Sequence, residues 1–157
     1  PFLRAQGSGH IIQVSSIGGI SAFPNVGIYN ASKWALEGVS QALAQEVAGF
    51  GIKVTLVEPG GYATDWDGSS ARHATANPAY DEFRKEAQEQ RTVRKGSPGD
   101  PVATRTAILT IVDAETPPLR VFFGRAPLGT AIPDYESRLA TWREWQPLAI
   151  AAHGTTD

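Results

Sequence analysis

The chain has 157 residues, enough for one domain of ordinary size or for part of a larger one. Its 14 basic and 16 acidic side chains give a formal net charge of −2, so electrostatics give no reason to expect nucleic acid or an anionic membrane surface as a partner. The absence of cysteine excludes disulfides, thiolate nucleophiles and cysteine-ligated zinc, and no apolar run approaches the roughly 18 residues of a membrane span.

The charged residues are unevenly distributed along the chain. Only 9 of them lie in residues 1–79, whereas 21 lie in residues 80–157. Because charged groups are rarely buried without a partner, the first half is expected to hold more of the hydrophobic core. The N-terminal residues lack the charged start, apolar stretch and cleavage site of a signal peptide, which makes a cytoplasmic location the expectation.

The first half predicts a strand, a helix and a second strand in close succession. Residues 10–16 are rich in β-forming residues and follow a glycine-containing segment. Helical periodicity runs over residues 28–49, and Gly51 follows its end. Residues 52–58 form the clearest strand pattern in the chain, and a Pro-Gly-Gly sequence stops it. This order predicts a βαβ unit with a right-handed crossover in a parallel sheet.

The second half predicts helices and one further strand around a long loop. Residues 61–78 are rich in Gly, Ser, Ala and Asn, which is typical of a functional or disordered loop. Asp100 followed by Pro101 is typical of a helix start. In chain order, the predicted elements are a charged helix over 78–94, a helix over 101–114, a strand over 119–123, a helix over 135–145 and a polar tail over 153–157.

Tyr29 and Lys33 lie four residues apart near the start of the first predicted helix. That spacing places both side chains on one helix face, within reach of each other, although a Tyr–Lys pair alone is also compatible with an ordinary helix surface. A nearby ammonium favours the phenolate form of tyrosine, which supports proton exchange near neutral pH. Ser16 ends the first predicted strand, at the carboxyl edge of the sheet, where ligands bind. The three residues predict a site where serine holds a carbonyl oxygen and tyrosine protonates it.

Three segments combine these residues with a Pro-Gly turn at fixed spacing. They are Val14-Ser15-Ser16-Ile17-Gly18-Gly19, Tyr29-Asn30-Ala31-Ser32-Lys33 and Val57-Glu58-Pro59-Gly60-Gly61-Tyr62-Ala63-Thr64-Asp65. In residue identity and in spacing, these segments resemble the classical short-chain dehydrogenases/reductases. The resemblance extends over essentially the whole chain. The resemblance implies an α/β fold, the C-terminal half of a Rossmann-like doubly wound parallel sheet, with residues 1–157 as a single domain. Pro118-Leu119-Arg120 resembles the 17β-hydroxysteroid-dehydrogenase-like branch.

The resemblance also implies a function and a set of site residues. The protein would be an oxidoreductase that interconverts a secondary alcohol and a ketone or aldehyde with NAD or NADP, which supplies the hydride. Tyr29 would be the general acid/base, Lys33 would assist it and bind the nicotinamide ribose, and Ser16 would polarise the carbonyl. The residues expected to hold the nicotinamide end are Tyr29, Lys33, Pro59, Gly60, Tyr62 and Thr64.

The substrate is expected to be a small apolar molecule. Residues 61–98 would cover it, with Trp66 and Tyr80 lining the pocket together with Ser16. The helix at 28–49 carries a small-residue face made of Ala31, Ala35, Gly38, Ala42 and Gln45. That face either packs on the sheet or, as the resemblance implies, pairs with a second copy to form a homodimer or homotetramer. Trp142 and Trp145 have the same two alternatives, packing within the chain or an oligomer interface, and packing is favoured.

Other candidate ligands are expected to have structural or solvent-exposed roles. His10, His73 and His153 show no metal-ligand spacing, and His10 is expected to be structural. Asp65 and Asp67 are interpreted as solvated turn residues rather than a metal pair. No metal site is predicted.

The nucleotide-binding front half of the resembled family is absent from the sequence. Only 15 residues precede Ser16, whereas one βαβ unit needs roughly 30 or more. The Gly-rich turn that binds the dinucleotide and the residue that distinguishes NAD from NADP are therefore missing from this sequence. Without the front half, one of the two strands at 10–16 and 52–58 is expected to become an exposed hydrophobic edge. With no methionine and a start at Pro1, the chain is expected to be a fragment, unless another chain supplies the missing half or proteolysis removed it.

The functional alternatives that remain open are a non-catalytic family member that senses the cofactor or acts as a scaffold, and an inactive fragment of the enzyme. The presence of Ser16, Tyr29 and Lys33 together favours the enzyme.

Overall fold

The structure is a computed structural model that describes residues 1–68, 71 and 73–154, without the side chains of residues 67, 94 and 95. Parts of the predicted loop (69, 70 and 72) and of the predicted polar tail (155–157) lie outside the described residues, as does the side chain of Asp67, so the interpretation of Asp65 and Asp67 stays a prediction.

Eight helices and strands follow one another in the described part of the chain. Short 3₁₀ turns at Ile17–Gly19, Ala48–Phe50, Asp65–Asp67, Pro78–Tyr80 and Pro101–Ala103 connect or extend them. The elements are α1 (Phe2–Gln6), β1 (Gly9–Val14), α2 (Gly27–Val47), β2 (Ile52–Pro59), α3 (Asp81–Lys95), α4 (Thr104–Asp113), β3 (Arg120–Phe123) and α5 (Ala126–His153).

The three strands form one parallel sheet in the order β1-β2-β3. Gly9 pairs with Ile52 at the start of β1, and Pro59 pairs with Phe123 at the end of β2. Helix α2 connects β1 to β2, and α3 and α4 connect β2 to β3. The predicted βαβ unit and the α/β, Rossmann-like fold are confirmed. Strand β1 lies at a sheet edge, as predicted for one of the two strands.

Helices cover both faces of the central strand. Since successive side chains of a strand point to opposite sides, each set packs under a different helix. On one side, Glu58 of β2 lies with Glu37 of α2 around the Arg120 guanidinium. On the other side, Val57 packs with Ile111 of α4 and with Phe123. The sheet is therefore doubly wound, and its central strand is buried on both faces as parallel strands usually are.

The hydrophobic core lies mostly in the first half of the chain, as the charge distribution predicts. Five of the buried hydrophobic residues come from residues 1–79 and three from the remainder: Ile20, Ile52, Val54, Leu56, Val57, then Ile111, Phe123 and Ala131.

Helix α2 does not use its small-residue face to pack on the sheet. Ala31, Ala35, Gly38 and Ala42 are exposed, whereas Lys33, Glu37, Ser40 and Ala44 turn toward the body of the protein. The interpretation that this small-residue face packs on the sheet is therefore wrong. Beside that face, Leu36, Leu43 and Val47 are partly buried, whereas Val39 is exposed.

The last helix is much longer than predicted. It begins at Ala126 rather than near 135 and continues to His153, with Pro133 and Pro147 inside it. Proline normally interrupts a helix because it lacks an N–H and crowds the carbonyl four residues earlier. Here those carbonyls belong to Gly129 and Arg143, both exposed to solvent, which lowers the cost of leaving them unpaired.

Two other expectations about the ends of the chain differ from the structure. Helix α1 is not predicted from the sequence, because five residues carry too little periodicity to indicate a helix. It ends at Gly7, whose φ is 70°. Trp142 and Trp145 are both more than half exposed, so the favoured prediction that they pack within the chain is wrong.

In the described residues, no helix is both long enough and apolar enough to cross a membrane.

Candidate active site

A cleft of about 550 Å³ opens at the carboxyl edge of the sheet. Parallel α/β sheets bind ligands at this edge because all strands end there and the loops that follow converge. The cleft brings together eight of the nine predicted site residues: Ser16, Tyr29, Lys33, Pro59, Gly60, Tyr62, Thr64 and Trp66.

Ser16 begins the 3₁₀ turn that follows β1. Its backbone is extended, and its Oγ accepts a hydrogen bond from the Gly18 N–H at 3.0 Å, which caps the turn. The preceding residue, Ser15, continues the sheet through a 2.8 Å bond from its N–H to the Val57 carbonyl. The Ser16 hydroxyl is thus fixed at the sheet edge, and its own proton is left to donate into the cleft.

Tyr29 and Lys33 lie on the first turns of α2, as their spacing predicts. Lys33 Nζ is 5.9 Å from the centre of the Tyr29 ring and donates a hydrogen bond of 3.1 Å to the Val14 carbonyl. That bond attaches the lysine to the end of β1, two residues before Ser16. An ammonium has three donors, so further donors of Lys33 remain for another partner in the cleft.

Gly18 allows the tyrosine ring and the serine hydroxyl to approach the same point. A Cβ atom at this position would lie 3.0 Å from Tyr29 Cε1 and 3.5 Å from Ser16 Oγ. It would also lie 3.1 Å from Oδ1 of Asn30, whose amide donates to the Phe23 carbonyl at 2.9 Å. The glycine is therefore part of the site, because any side chain there would press on Tyr29 and Asn30.

The segment after β2 forms the opposite wall of the cleft. Gly60 donates its N–H to the Phe123 carbonyl at 2.9 Å, and a Cβ atom on it would lie 3.0 Å from Pro127 Cδ. Tyr62 pairs with Gly99 in an isolated parallel bridge, and the Thr64 N–H donates to the Tyr62 carbonyl at 2.9 Å. These contacts fix the segment that lines the cleft together with Tyr29 and Lys33.

Trp66 lies in the cleft and Tyr80 does not. The Trp66 ring meets the Tyr29 ring edge to face, with centroids 5.0 Å apart, and the Arg91 guanidinium lies 5.6 Å from its centre. Tyr80 is 57% exposed, at the end of the 3₁₀ turn that leads into α3, and is not among the cleft residues. The expected pocket role of Tyr80 is therefore not supported, since the turn directs it to solvent.

Several cleft residues were missed by the sequence interpretation. Gln88 and Arg91 of α3 and Pro127 and Thr130 of α5 line the cleft. The pattern Ala87-Gln88-x-x-Arg91 lies on one helix face, and that spacing is the signal that points to α3. Nothing in the sequence indicates that α5 begins early enough to contribute.

A polar cluster holds the loop after Ser16 against α5. Ser21 Oγ donates to Asp134 at 2.8 Å, and Arg138 donates two hydrogen bonds, at 2.8 and 3.1 Å, to the same carboxylate. Burial opposes ionisation of Asp134, but the bonds from Ser21 and Arg138 outweigh it and hold its pKa below the usual value. Arg138 also lies over the Trp34 ring at 4.8 Å, which connects the cluster to α2.

The described histidines do not form a metal site. His10 Nε2 lies 2.9 Å from Thr55 Oγ1. Because that hydroxyl already donates to the Pro118 carbonyl at 2.7 Å, His10 is the donor, which agrees with a structural role. Burial, followed by the charge of Lys53, lowers the His10 pKa. Among the described residues, no group of three or more His, Asp or Glu is close enough to hold a metal ion.

Comparison with known proteins identifies relatives over nearly all of the chain. The oxidoreductase BOA17 of Botryotinia fuckeliana is 39% identical over 155 residues, which are 97% of this chain and 56% of the relative. The 3-ketodihydrosphingosine reductase of Bacteroides thetaiotaomicron is 40% identical over 79% of this chain and 47% of its own length. The chain thus spans about half the length of these curated relatives.

Solved structures agree with this result. A short-chain dehydrogenase from Streptomyces avermitilis superposes on 97% of this chain and 55% of its own, with a TM-score of 0.81 and 36% identity. A short-chain dehydrogenase/reductase from Burkholderia phymatum, in complex with NAD, gives a TM-score of 0.63 at 28% identity over 87% of this chain and 50% of its own. The finer resemblance to the 17β-hydroxysteroid dehydrogenases stays a prediction. Residues 1–75 match the short chain dehydrogenase family, and with these oxidoreductase relatives the match shows that the chain belongs to that family.

Proposed function

We propose that the protein is an NAD(P)-dependent oxidoreductase that interconverts a secondary alcohol and a ketone or aldehyde. The observation that carries the proposal is the convergence of Ser16, Tyr29 and Lys33 on one cleft at the carboxyl edge of the sheet. Since the chain covers about half of its relatives, the activity is proposed for the full-length protein.

Tyr29 is proposed as the general acid and base. In the reductive direction its hydroxyl gives a proton to the substrate oxygen, and in the oxidative direction it takes the proton back. Lys33 places a positive charge on the same face of α2, which favours the phenolate that remains after proton transfer. Its bond to the Val14 carbonyl holds the ammonium close to the end of β1.

Ser16 is proposed to hold the substrate carbonyl. Because its Oγ already accepts the Gly18 N–H, the hydroxyl proton points to a different partner, and a carbonyl oxygen in the cleft provides one. A fixed donor aimed at an oxygen that gains negative charge lowers the activation barrier of the reaction, because the donor does not have to reorient as the charge develops.

The donor set of the cleft fits a nicotinamide nucleotide, which supplies or accepts the hydride when bound. Lys33 has donors for ribose hydroxyls, and the segment from Pro59 to Thr64 contributes two glycines, Gly60 and Gly61, to the cleft lining, where the lack of side chains leaves room for a flat ring. The NAD complex of the Burkholderia phymatum relative supports the same cofactor class, NAD or NADP, for this chain. The half-exposed Trp66 ring supports an apolar small molecule as substrate.

Self-association through α2 is a second part of the proposal. The exposed face of small residues allows a second helix to approach closely, as in a homodimer or homotetramer. Replacing Ala42 by Arg in the full-length protein should shift the sedimentation coefficient toward that of the monomer, whereas Thr106→Arg on the exposed side of α4 should leave it unchanged. An unchanged oligomeric state in the Ala42 variant would contradict this interface.

The general acid/base role is tested by replacing Tyr29 with Phe in the full-length protein. We expect turnover of carbonyl substrates with NADH or NADPH to fall by about 10²–10⁴-fold, with cofactor affinity retained, because only the exchangeable proton is removed. Tyr80→Phe is the matched control, since that hydroxyl lies outside the cleft, and it should keep wild-type turnover. Undiminished turnover in the Tyr29 variant would refute the proposed role.

A further inference from the structure

Two carboxyl groups are buried together beneath the cleft, between α2 and the end of β2. Glu58 of β2 is 1% exposed, and Glu37 of α2 is 5% exposed. Arg120 of β3 lies between them, with its Nε 2.9 Å from Glu37 Oε2 and 3.5 Å from Glu58 Oε1. The other end of the guanidinium donates to Gln41 Oε1 at 2.9 Å. Two carboxylates thus face one guanidinium, and full ionisation would leave one buried negative charge without compensation.

The geometry indicates which carboxyl group keeps a proton. Glu37 Oε2 accepts a 2.9 Å hydrogen bond from Arg120 Nε, whereas Glu58 Oε1 is 3.5 Å from the same nitrogen, so Glu37 is the natural carboxylate of the ion pair. Oε1 of Glu58 and Oε1 of Glu37 are both buried without a hydrogen-bond partner, so the difference between the two groups lies in their contact with Arg120. Burial, followed by the charge of Glu37, raises the pKa of Glu58 to about 8, although Arg120 acts in the opposite direction. Glu58 is therefore mostly protonated at neutral pH, and the cluster holds one negative and one positive charge.

The cluster connects the two walls of the cleft. Glu58 directly precedes Pro59 and Gly60, which line one wall. Glu37 lies one helical turn after Lys33, on the helix that carries the other wall. A Cβ atom on Gly19 would lie 3.0 Å from Glu37 Cγ and 3.1 Å from the Lys33 carbonyl, which shows how tightly this part of α2 packs beneath the turn after Ser16.

We propose that Glu58 is a positioning residue, which in its neutral form holds the end of β2 against Glu37 and Arg120 and so sets the distance between the Pro59–Gly60 wall and Lys33. Ionisation of Glu58 places a second negative charge beside Glu37 in a buried site and separates the two walls. The consequence for cofactor binding rests on the proposed function, whereas the protonation of Glu58 does not.

The protonation of Glu58 is tested by infrared spectroscopy of the full-length protein. We expect a carboxylic-acid carbonyl band that persists at neutral pH and disappears through about pH 8, near the raised pKa of Glu58. Glu58→Gln should remove this band, while Glu144→Gln, an exposed glutamate of α5, should leave it unchanged. A Glu58 carboxyl group that is already ionised near pH 6 would overturn the proposal.

The positioning role is tested by the pH dependence of cofactor affinity, measured through the fluorescence of bound NADH or NADPH. In the wild type, the dissociation constant should be flat to about pH 7 and rise by about tenfold as Glu58 ionises, because small misplacements of a binding wall are costly. Glu58→Gln mimics the neutral acid and should remove that rise, whereas Glu58→Ala should bind weakly at every pH.

The outcomes separate this role from a merely structural one. If Glu58→Gln and the wild type show the same rise with pH, or if the Gln and Ala variants bind equally well, the positioning role is overturned while the proposed function stands. If the wild type binds neither NAD(H) nor NADP(H) at any pH, the proposed function fails and the positioning role fails with it. The infrared titration still decides whether Glu58 keeps its proton at neutral pH.

Discussion

Residues 9–64 and residues 65–154 differ in how their side chains are used. The first region contains β1, α2 and β2, carries Ser16, Tyr29 and Lys33, and contributes most of the buried hydrophobic residues. The second region ends in α5, in which every residue from Leu139 to His153 is exposed. The proposed catalytic residues thus lie on a buried scaffold, which fixes their geometry, whereas the end of α5 is open surface that can vary without disturbing that scaffold.

The largest expected effect comes from removing a core side chain in the first region. Leu56 of the central strand has an exposed fraction of 0%. Leu56→Ala should lower the free energy of unfolding by about 2–5 kcal/mol, because it leaves a cavity that packed neighbours only partly fill. Leu148→Ala is the matched control in the second region, since Leu148 is 58% exposed, and it should change stability by less than about 0.5 kcal/mol. Urea unfolding measures both.

Equal losses in the two leucine variants would break the contrast between the regions. That result would mean that the exposed end of α5 is packed as tightly as the sheet in the protein in solution.

A smaller effect is expected from Gly18, the glycine that lies against the Tyr29 ring and the Ser16 hydroxyl. Gly18→Ala adds a methyl group 3.0 Å from Tyr29 Cε1 and 3.1 Å from Asn30 Oδ1. The ring must move, and turnover in the full-length protein should fall by about tenfold. Gly27→Ala at the start of α2 meets nothing within 4 Å and should keep wild-type turnover. A Gly18 variant with unchanged turnover would show that the approach of Tyr29 to this turn is not needed.

The same contrast explains how much could be predicted from the sequence. In the first region, β1, α2, β2 and the convergence of Ser16, Tyr29 and Lys33 follow from local pattern, because strand ends and helix starts meet at one sheet edge whatever surrounds them. The capping Asp100 is equally local: it accepts from the Val102 N–H at 2.8 Å, as its position before Pro101 predicts.

The elements that sequence reasoning misplaced depend on contacts or solvent exposure that no local pattern records. Pro133 predicts a helix boundary, yet α5 continues through it because the affected carbonyl is solvated. Tyr80 has the aromatic side chain expected of a pocket residue, but it lies on a turn that directs this side chain outward. Glu58 could not be distinguished from a surface glutamate, since its buried partners Glu37 and Arg120 are distant in the sequence.

The smallest expected effect tests whether the end of α5 is energetically separate from the scaffold. Pro147 lies inside the helix, where proline is roughly 3 kcal/mol less favourable than alanine. Pro147→Ala restores the missing N–H to the Arg143 carbonyl and should slow amide hydrogen exchange over the last turns of α5. Because the surrounding residues are exposed, this gain should remain local, and the global free energy of unfolding should change by less than about 0.5 kcal/mol. A global increase close to the full helix-propensity difference would instead show that residues 139–153 unfold together with the sheet, and the two regions would then form one cooperative unit despite their different exposure.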